Sequence, residues 1–476
     1  MARKHNKRYV CDFETSTEEW LKYDDRVRVW AWSLVDIDDV SKIQYGNCIE
    51  SLFYWFENLN ENVMLYYHNL KFDGQYLIWE LNHRNFTWVD YDPSKKKKYP
   101  ANSYSTVITD VNQWYQIILF YKDHTITIRD SMKLYDMSVD TIAKSLGFEE
   151  QKLTLDYERY RPVGYVLQPY EVEYITHDVV IVAKALKTLF DAGHTKMTIS
   201  SDALSDFKRR CKDFKTLFPE LPEETDAFVR QSYKGGFTYA NPVHTDKHYK
   251  KRGVVFDYNS LYPSILYDEL MPYGEPVWFD GEYKKDPEYP LYVQMLTCYF
   301  NLKDGKIPSL QLKHNPRFLP NEYIKSSKND AYTITLTSVD LELFKEQYDI
   351  EVVEYKGGFK FKGQHNMYKE YIDSWTEEKI KAKKEGNKTM YLISKKFLNS
   401  LYGKTGANPH GGMKRPVLNE HDLISYPAIE DNSRKSIYVP TATFCTSYGR
   451  KRIIEACQFI RDWSLEHKGY DAWTYS

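Results

Sequence analysis

The sequence lacks the features that mark membrane, disulfide-rich and zinc-binding proteins. None of its six cysteines belongs to a C-x-x-C pair, so neither a zinc site nor a redox motif is indicated. No stretch approaches about 18 apolar residues, which argues against a membrane-spanning helix. The N-terminus is basic but lacks the apolar core of a signal peptide. We therefore expect a cytoplasmic protein with reduced thiols and no membrane partner.

The chain also lacks an excess of charge of one sign. Its 65 Lys and Arg residues oppose 67 Asp and Glu residues, which leaves a formal net charge of −2. DNA-binding proteins often carry excess positive charge, so this balance is a weak argument against a nucleic-acid partner. A basic groove beside acidic metal sites gives the same total. Tyrosine is abundant, with 42 residues, which fits either codon bias in an AT-rich genome or base stacking.

The first part of the chain, through Gly193, alternates β-rich and helical segments and predicts an α/β domain. Its β-rich segments are RYVCDF, VRVWAWSLVDI, NVMLYY and HTITIRD. A helix is predicted for PYEVEYITHDVVIVAKALKTLFDAG, whose apolar spacing ends at Gly193. With 476 residues, the chain is too long for one ordinary domain.

The rest of the chain predicts a second unit of mixed structure. The helical SSDALSDFKRR leads to a predicted strand, GVVFDYN, at 253–259. Short strands with several Pro and Gly residues between Pro272 and Gly363 predict an insertion with its own small core. A strongly helical segment follows at 367–403, then a loop rich in Gly, Pro and Asn, and then a final helix.

Carboxylates recur in the first part at positions that suit metal binding. Asp12 and Glu14 are two residues apart in a predicted strand, so their side chains share one face. Asp73 lies in HNLKFDG after a β-rich run, and Tyr174 and Asp178 share one face of a predicted helix. Four such acids could hold two Mg²⁺ or Mn²⁺ ions about 4 Å apart around a phosphodiester. Each piece alone also fits an ordinary acidic surface, but the combination predicts a phosphodiester-cleaving site.

A second group of residues predicts a nucleotide-binding site. Asp257 ends the apolar strand of GVVFDYNSLYPS, where it could hold a metal while backbone N–H groups receive a triphosphate. Tyr262 could form a flat wall that excludes a ribose 2′-OH, or be an ordinary core tyrosine. Lys395, Asn399 and Tyr402 in KKFLNSLYGK share one helix face, which could contact phosphate, base and sugar. An amphipathic helix without such a function shows the same spacing.

These motifs, in this order, resemble those of family B DNA polymerases. Asp12 with Glu14, HNLKFDG, and Tyr174 with Asp178 resemble the three exonuclease motifs of the tyrosine-type proofreading polymerases. D-x-x-S-L-Y-P and K-x-x-x-N-S-x-Y-G resemble polymerase motifs A and B. YKGGFT resembles the Y-x-G-G motif, and TSYGR resembles the T-x-x-G/A-R motif. KLTLDYERYRPVGY resembles a lysine motif that supports the exonuclease, with Lys152 as its lysine.

Two further stretches narrow the resemblance. IPSLQLK and TSVDLELFKEQYDI are similar to the first insertion peculiar to protein-primed phage polymerases, and the loop after motif B occupies the position of their second insertion. The chain is identified as a member of the protein-primed family B DNA polymerases of small tailed bacteriophages, over essentially its whole length. The resemblance implies a virus-encoded, monomeric enzyme of the host cytoplasm with two Mg²⁺ or Mn²⁺ ions in each active site. Its implied partners are primer-template DNA, deoxynucleoside triphosphates and a terminal protein primer.

The resemblance also implies an α/β and α+β multidomain fold. A ribonuclease H-like exonuclease domain would be followed by a partial right-hand polymerase palm and fingers with two insertions. The implied segments are the exonuclease domain at 1–198, the palm at 199–269 and 438–476, the first insertion at 270–366, the fingers at 367–406 and the second insertion at 407–437. In the family, the first insertion serves binding of the terminal protein and DNA, and the second allows strand displacement and processivity.

Roles for single residues follow from the same resemblance. The exonuclease metal ligands would be Asp12, Glu14, Asp73 and Asp178, with Tyr174 and Lys152 in support. The residues that would hold DNA are Thr15, His68, Asn69, Phe72 and Ser131 in the exonuclease, and Tyr233, Gly235, Gly236, Ser260, Thr446 and Arg450 beyond it. Asp257 would bind the polymerase metals. The residues that would contact the incoming nucleotide are Tyr262, Lys383, Lys395, Asn399 and Tyr402, whereas Tyr391 replaces a further lysine of the family.

One motif of the family is incomplete. The family carries a second palm carboxylate motif, Y-x-D-T-D, but this chain ends in DAWTYS, where Tyr475 and Ser476 fit the first two positions. We therefore expect a truncated gene product, an incomplete reading frame or one piece of a split polymerase. Asp257 alone cannot hold two metals, so an exonuclease-only enzyme is one alternative. A non-catalytic fragment that binds DNA or the terminal protein is the other.

Overall fold

The computed structural model describes residues 7–92, 98–149, 153–239, 247–248, 250, 253–311, 323–409, 411–430 and 436–469. The chain divides into two compact units. Unit 1 comprises Met1–Asp202, Glu378–Ile393 and Pro409–Arg434, and unit 2 comprises Ala203–Glu377, Ser394–Asn408 and Lys435–Ser476. In the described part of the chain, no helix is long and apolar enough to cross a bilayer.

Unit 1 is built on one mixed sheet of eight strands. Its strands are β1 (Lys7–Thr15), β2 (Val29–Asp36), β3 (Ile43–Gly46), β4 (Val63–Tyr67), β5 (Thr87–Trp88), β6 (Ser103–Ile108), β7 (Trp114–Phe120) and β8 (Thr125–Asp130). Its helices are α1 (Ile49–Glu57), α2 (Leu70–His83), α3 (Val139–Leu146) and α4 (Pro169–Asp191). The strand order across the sheet is β3-β2-β1-β4-β8-β7-β6-β5. The central strands β1, β4 and β8 are parallel to one another.

The strands and the long helix predicted for the first part of the chain are confirmed. β2 is buried along nearly its whole length, which explains why its sequence is apolar on both faces. Leu52 of α1 and Leu77 of α2 join the main core of the sheet. A separate core contains Trp30 of β2 and Ile175 of α4, so α4 is packed against the sheet through its own apolar face.

Unit 2 combines helices with a smaller sheet. The helices after α4 are α5 (Ile199–Arg210), α6 (Phe214–Leu217), α7 (Glu223–Gln231), α8 (Leu261–Asp268), α9 (Ser338–Gln347), α10 (Lys369–Lys384), α11 (Lys388–Thr405) and α12 (Val439–Lys468). The strands of the smaller sheet are β9 (Met271–Phe279), β10 (Leu291–Leu302), β11 (Tyr332–Thr337) and β12 (Tyr348–Gln364). All are antiparallel, in the order β11-β10-β12-β9.

The small core predicted between Pro272 and Gly363 is present, and the assignment of this stretch as an insertion stays a prediction. Leu296 of β10 and Leu336 of β11 pack with Leu341 and Phe344 of α9 and with Tyr348, where β12 begins. α9 begins with a cap because the Thr337 hydroxyl accepts a hydrogen bond from the Asp340 amide. This cap places the Asp340 side chain in the first turn of α9.

The segment predicted as a loop after α11 contains two short antiparallel ladders within unit 1. β13 (Met413–Lys414) pairs with β16 (Ala428–Ile429), and β14 (Val417–Leu418) pairs with β15 (Ile424–Ser425). The Asp110 amide donates to the Gly412 carbonyl at 2.9 Å. The Tyr426 ring meets the Trp114 ring edge-on, with centroids 5.5 Å apart. These contacts attach the described part of this segment to the sheet of unit 1.

One predicted strand is wrong. Residues 253–258, within the predicted strand at 253–259, form no regular structure. Val254, Val255 and Phe256 are 77%, 95% and 79% exposed. A strand is stabilised by hydrogen bonds to a neighbouring strand, and no strand of the described residues pairs with this segment. Its apolar composition therefore did not decide its structure.

Candidate exonuclease and nucleotide-binding sites

The predicted exonuclease residues come from the ends of three parallel strands. β1 carries Asp12 and Glu14 toward its carboxyl end, and β4 ends one residue before His68. β8 ends at Asp130, directly before Ser131. Parallel neighbouring strands place their carboxyl ends at the same edge of a sheet, so residues far apart in the sequence share one site.

Asp73 is the most deeply buried carboxylate of this site. It lies in the first turn of α2 and is 2% exposed. Burial raises the pKa of Asp73 well above its ordinary value, and the negative charges of Asp12 and Glu14 raise it further. Its Oδ1 atom has no hydrogen-bond partner among the described residues. Asp12 and Glu14 are thus electrostatic neighbours of Asp73, and their charges disfavour its ionised form.

The fourth acid and the predicted tyrosine come from α4. Tyr174 and Asp178 are both buried and lie one helical turn apart. Burial raises the pKa of Tyr174, and the charge of Glu14 and the hydrogen bond with Tyr157 raise it further. The hydroxyl groups of Tyr157 and Tyr174 are hydrogen bonded to each other. The only sequence signal for this contact is the place of Tyr157 in the motif that contains Lys152.

His68, Asn69 and Ser131 are arranged by hydrogen bonds at the same sheet edge. The His68 Nδ1 atom is hydrogen bonded to Ser131 Oγ at 2.9 Å, and its Nε2 atom donates to the Met137 carbonyl at 2.7 Å. The Asn69 amide donates to Asp130 Oδ1 at 3.1 Å. Asn69 has φ 77° at the start of α2, a left-handed conformation that asparagine tolerates better than most residues.

Two further predicted DNA-binding residues, Phe72 and Thr15, both lie beside Tyr76 of α2. Phe72 is 47% exposed, an unusual environment for a large apolar side chain at a helix start. Its ring lies 6.0 Å from that of Tyr76. Thr15, at the end of β1, is hydrogen bonded to the Tyr76 hydroxyl. An exposed aromatic ring beside buried carboxylates can stack on an unpaired base.

Part of the predicted site lies outside the described residues, namely Lys152 and the terminal Tyr475 and Ser476. Within the described ranges, no three His, Cys, Asp or Glu side chains form a ready-made metal-binding group. The donors nevertheless fit a hard divalent cation, since all are carboxylate oxygens and Asp73 Oδ1 is buried without a partner there.

Two predicted nucleotide-contacting tyrosines meet in unit 2. The rings of Tyr262 on α8 and Tyr402 on α11 have centroids 4.2 Å apart. Burial raises the pKa of Tyr402, and the neighbouring Tyr262 raises it further. Two glycines make room for Tyr262: a Cβ atom on Gly236 would lie 2.6 Å from its Oη, and one on Gly449 would lie 3.2 Å from its Cε1. The Y-x-G-G segment therefore lies directly against the predicted sugar-selecting ring.

Asp257 and Ser260 lie on either side of a turn that leads into α8. Asp257 is exposed, in the segment that forms no strand. Ser260 is the N-cap residue of α8 and has φ 55°, which is uncommon for a residue other than glycine. A left-handed backbone is strained for a residue other than glycine, so the surrounding structure must hold it in place. Residues strained in this way often occur at ligand-binding sites.

Arg450 occupies a buried network rather than an open surface. It is 3% exposed, and its Nη1 atom donates to the carbonyls of Lys234 and Gly235 at 2.9 and 2.6 Å. Its Nε and Nη2 atoms donate to Asp340 at 3.0 and 2.5 Å. Thr446 is also buried, and its hydroxyl donates within α12. Arg450 thus holds the Y-x-G-G backbone, and the DNA contacts of Arg450 and Thr446 stay predictions.

The predicted face of α11 is present. Lys395 and Asn399 are exposed and Tyr402 is half-buried, whereas the intervening Phe397 and Leu398 are buried. The remaining predicted members of this group are on neighbouring chain segments. Lys383 lies near the end of α10, in unit 1. Tyr233 is the predicted DNA-binding tyrosine of the Y-x-G-G motif. It lies beside Gly406 in unit 2, where the lack of a glycine side chain makes room for its ring.

Sequence comparisons identify the family. A family model described as DNA polymerase type B, organellar and viral, matches residues 57–461. The DNA polymerase of Bacillus phage phi29 is 40% identical over 471 residues, which cover 97% of this chain and 78% of that protein. The DNA polymerase of Streptococcus phage Cp-1 is 27% identical over 472 residues, which cover 94% of this chain and 78% of that protein.

Solved structures agree with the sequence comparisons. Phi29 DNA polymerase complexed with primer-template DNA matches with a TM-score of 0.87 and 37% identity, over 96% of this chain and 78% of that one. The ternary complex with incoming nucleotide matches with a TM-score of 0.84 and 38% identity, over 95% of this chain and 78% of that one. The predicted α/β and α+β multidomain fold is thereby confirmed, while the division into segments stays a prediction. This chain therefore belongs to the organellar and viral type B DNA polymerases, among the DNA polymerases of phi29-type bacteriophages.

Proposed function

We propose that unit 1 is a 3′–5′ exonuclease that removes nucleotides from a single-stranded primer end and so proofreads DNA synthesis. The observation that carries the proposal is the buried Asp73, whose pKa is raised by burial and by the charges of Asp12 and Glu14. Mutual repulsion of buried carboxylates costs free energy, and it is relieved when a cation binds among them. A group of this kind is typical of metal-dependent phosphodiester hydrolysis.

The cofactor in this proposal is Mg²⁺ or Mn²⁺, with two ions in the site. Asp12, Glu14, Asp73 and Asp178 would hold them, since carboxylate oxygens are the ligands that these hard cations prefer. The ions would supply Lewis acidity and lower the pKa of bound water.

The chain's own side chains would bind and orient the DNA. Phe72 offers an exposed ring for the terminal base, while His68 and Ser131 are hydrogen bonded into the same sheet edge. The Tyr174 hydroxyl is held by Tyr157, and its raised pKa keeps the proton that it would donate in a hydrogen bond to the attacking water or to the phosphate. Fixed dipoles of this kind stabilise developing charge without reorganising during the reaction.

Unit 2 carries the proposed nucleotide-addition site. Tyr262 would exclude ribonucleotides, Asp257 would bind metal, and Lys395 and Asn399 would contact the incoming deoxynucleotide. Support comes from the packing of Tyr262 on Tyr402 and from Gly236, which leaves room only for a hydrogen beside the Tyr262 hydroxyl. Replication of a phage genome in the host cytoplasm, primed by a terminal protein, completes the proposal.

A second candidate function is exonuclease activity without nucleotide addition by this polypeptide alone. The exposure of Val254, Val255 and Phe256 favours it, because no strand of the described residues pairs with the segment that presents Asp257. Metal ligands act only when their supporting backbone is fixed within a fraction of an ångström. The two candidates predict opposite changes in the length of a primer.

The test uses the purified 476-residue chain, a labelled primer on a template, Mg²⁺ and all four deoxynucleotides. We expect the primer to shorten with Mg²⁺ and to stay intact with EDTA. Asp12→Ala with Glu14→Ala abolishes shortening without unfolding the chain, whereas the exposed Asp90→Ala with Asp123→Ala leaves it unchanged. Degradation retained by the first pair sinks the assignment, and a lengthened primer favours nucleotide addition over the second candidate.

A further inference from the structure

The segment at 153–168, which leads into α4, contains no helix or strand. Tyr157 in this segment is 43% exposed, and its hydroxyl bonds Tyr174. Leu153, Leu155 and Leu167 pack against the core that contains Tyr174, although each is only partly buried. A segment without backbone ladders depends on side-chain anchors for its shape, and the position of the Tyr157 hydroxyl depends on that shape.

Arg161 is the principal anchor of this segment. Its side chain is fully buried, and its Nε atom donates to Glu171 Oε1 at 2.7 Å, where the Glu171 side chain is also fully buried. Its Nη1 atom donates to the carbonyls of Asp156 and Arg159 at 3.1 and 2.9 Å. These two carbonyls flank Tyr157 along the chain. One guanidinium therefore joins the backbone around Tyr157 to the first turn of α4.

The other contacts of this ion pair hold it in one place. The Arg161 guanidinium carbon lies 4.2 Å from the centre of the Trp30 ring, a cation–π contact in a buried setting. Glu171 Oε2 accepts from the Gln168 amide at 2.9 Å, which caps the start of α4. Burial alone would raise the pKa of Glu171, but the Gln168 amide and Arg161 outweigh it and lower the pKa. Glu171 is therefore an anion that can hold Arg161.

We propose that Arg161 is a positioning residue of the exonuclease, an inference that rests on the exonuclease function proposed above. Its planar fork fixes the 156–159 backbone against α4 and so keeps the Tyr157 hydroxyl on Tyr174. Glu171 lies three residues before Tyr174 in α4, so the anchor and the proposed water-orienting hydroxyl are one helical turn apart. In this role Arg161 itself contacts neither DNA nor the four carboxylates proposed to bind metal.

Arg161→Lys tests the inference because lysine keeps the charge and loses the fork. An ammonium group can pair with Glu171 but cannot also donate to both carbonyls in the guanidinium plane. We expect kcat for removal of a 3′ nucleotide from a single-stranded oligonucleotide to fall roughly 10–100-fold, because a small misplacement of a catalytic group has that effect. KM should stay within about twofold, since the ring and sheet-edge contacts to DNA are untouched.

A double-mutant cycle separates positioning from a general structural role. If Arg161 acts through the Tyr157 hydroxyl, Arg161→Lys lowers kcat no further in a Tyr157→Phe background. Arg159→Lys is the matched control, because Arg159 lies on the same segment and bonds the exposed Tyr170 hydroxyl. An unchanged kcat in Arg161→Lys, or an equal fall with and without the Tyr157 hydroxyl, overturns the inference.

Two additions keep each outcome decisive. All rates are measured at a temperature where circular dichroism shows that the variant is folded. If Arg161→Lys does not fold, Glu171→Gln is measured in its place. Glutamine at position 171 still offers an oxygen to the Gln168 amide. The ¹⁹F signal of 3-fluorotyrosine at Tyr157 reports the anchor independently of catalysis and should move in Arg161→Lys but not in Arg159→Lys. A wild-type chain that shortens no DNA refutes the proposed exonuclease, whereas an active chain with an unmoved signal refutes only the role of Arg161.

Discussion

Asp340→Ala should strongly destabilise unit 2, because it removes the acceptor at the centre of a buried network. Asp340 accepts from Arg450 Nε at 3.0 Å and Nη2 at 2.5 Å, from the Ser447 hydroxyl at 2.7 Å and from the Thr337 hydroxyl at 3.1 Å. The substitution leaves all of these donors in place. They then lie in a site from which water is largely excluded.

The magnitude follows from the burial of both partners. The side chains of Arg450 and Asp340 are 4% and 9% exposed, so Asp340→Ala leaves a buried guanidinium without its counter-ion. Breaking a buried ion pair from one side costs about 3–5 kcal/mol of unfolding free energy. With a urea m-value of about 3 kcal/mol/M, the unfolding midpoint falls by about 1–1.7 M.

The assay is urea unfolding of the full chain, with two comparison variants. Glu342→Ala removes an exposed partner of Lys451 from the same helix, and such a surface pair contributes about 0–1 kcal/mol. Asp340→Leu combined with Arg450→Met removes both charges and should recover most of the stability. A loss below about 1 kcal/mol for Asp340→Ala, or a double variant as unstable as the single one, refutes the reasoning.

The same ion pair has a pH signature. Burial alone would raise the pKa of Asp340, but the Arg450 charge and its hydrogen bonds outweigh it and lower the pKa below the ordinary 3.8. The pair's contribution to the unfolding free energy is therefore fully present above 3.8 and is lost as pH falls through the lowered value. We expect the stability difference between wild type and Asp340→Ala to narrow on acidification, and a constant difference contradicts the assignment.

Three further predictions concern other residues. Burial raises the pKa of Asp202 to about 6. Its protonated form stabilises the fold, and this stabilisation is lost as pH rises through that value. Asp202→Asn should therefore flatten this part of a plot of melting temperature against pH. Gly236→Ala places a Cβ atom 2.6 Å from Tyr262 Oη and should cost about 1–3 kcal/mol in urea unfolding, with part of the loss recovered by Tyr262→Phe. Deoxynucleotide incorporation at the proposed nucleotide-addition site, measured by primer extension, should be abolished by Asp257→Ala, and incorporation that survives this substitution contradicts the metal-binding role of Asp257.

Several features could be predicted because they depend on short-range patterns. The spacing of Tyr174 and Asp178 places both on one face of α4 whatever α4 packs against, since helix geometry repeats every 3.6 residues. β1, β4 and β8 were likewise recognisable from their β-branched and aromatic residues. The motifs that pointed to the polymerase family are also short runs of this kind, and the family is confirmed.

Other features could not be predicted because they depend on which distant segments meet. The apolar composition at 253–258 predicts a strand, yet the segment forms none, and no strand among the described ranges supplies hydrogen bonds to it. The pairing of Arg450 with Asp340, a distant residue on α9, likewise depends on segments that meet only in the folded interior.

The amino-acid sequence by itself determined the local elements, the identity of the reactive groups and the family. Tertiary structure alone decided that Asp73 is buried beside Asp12 and Glu14. It also decided that the Tyr157 hydroxyl is hydrogen bonded to Tyr174 and that Arg161 holds the backbone next to Tyr157. The physical reason is that backbone geometry sets the spacing of side chains only within an element. The electrostatic and hydrogen-bonding environment of a side chain is instead set by the separate elements that pack around it.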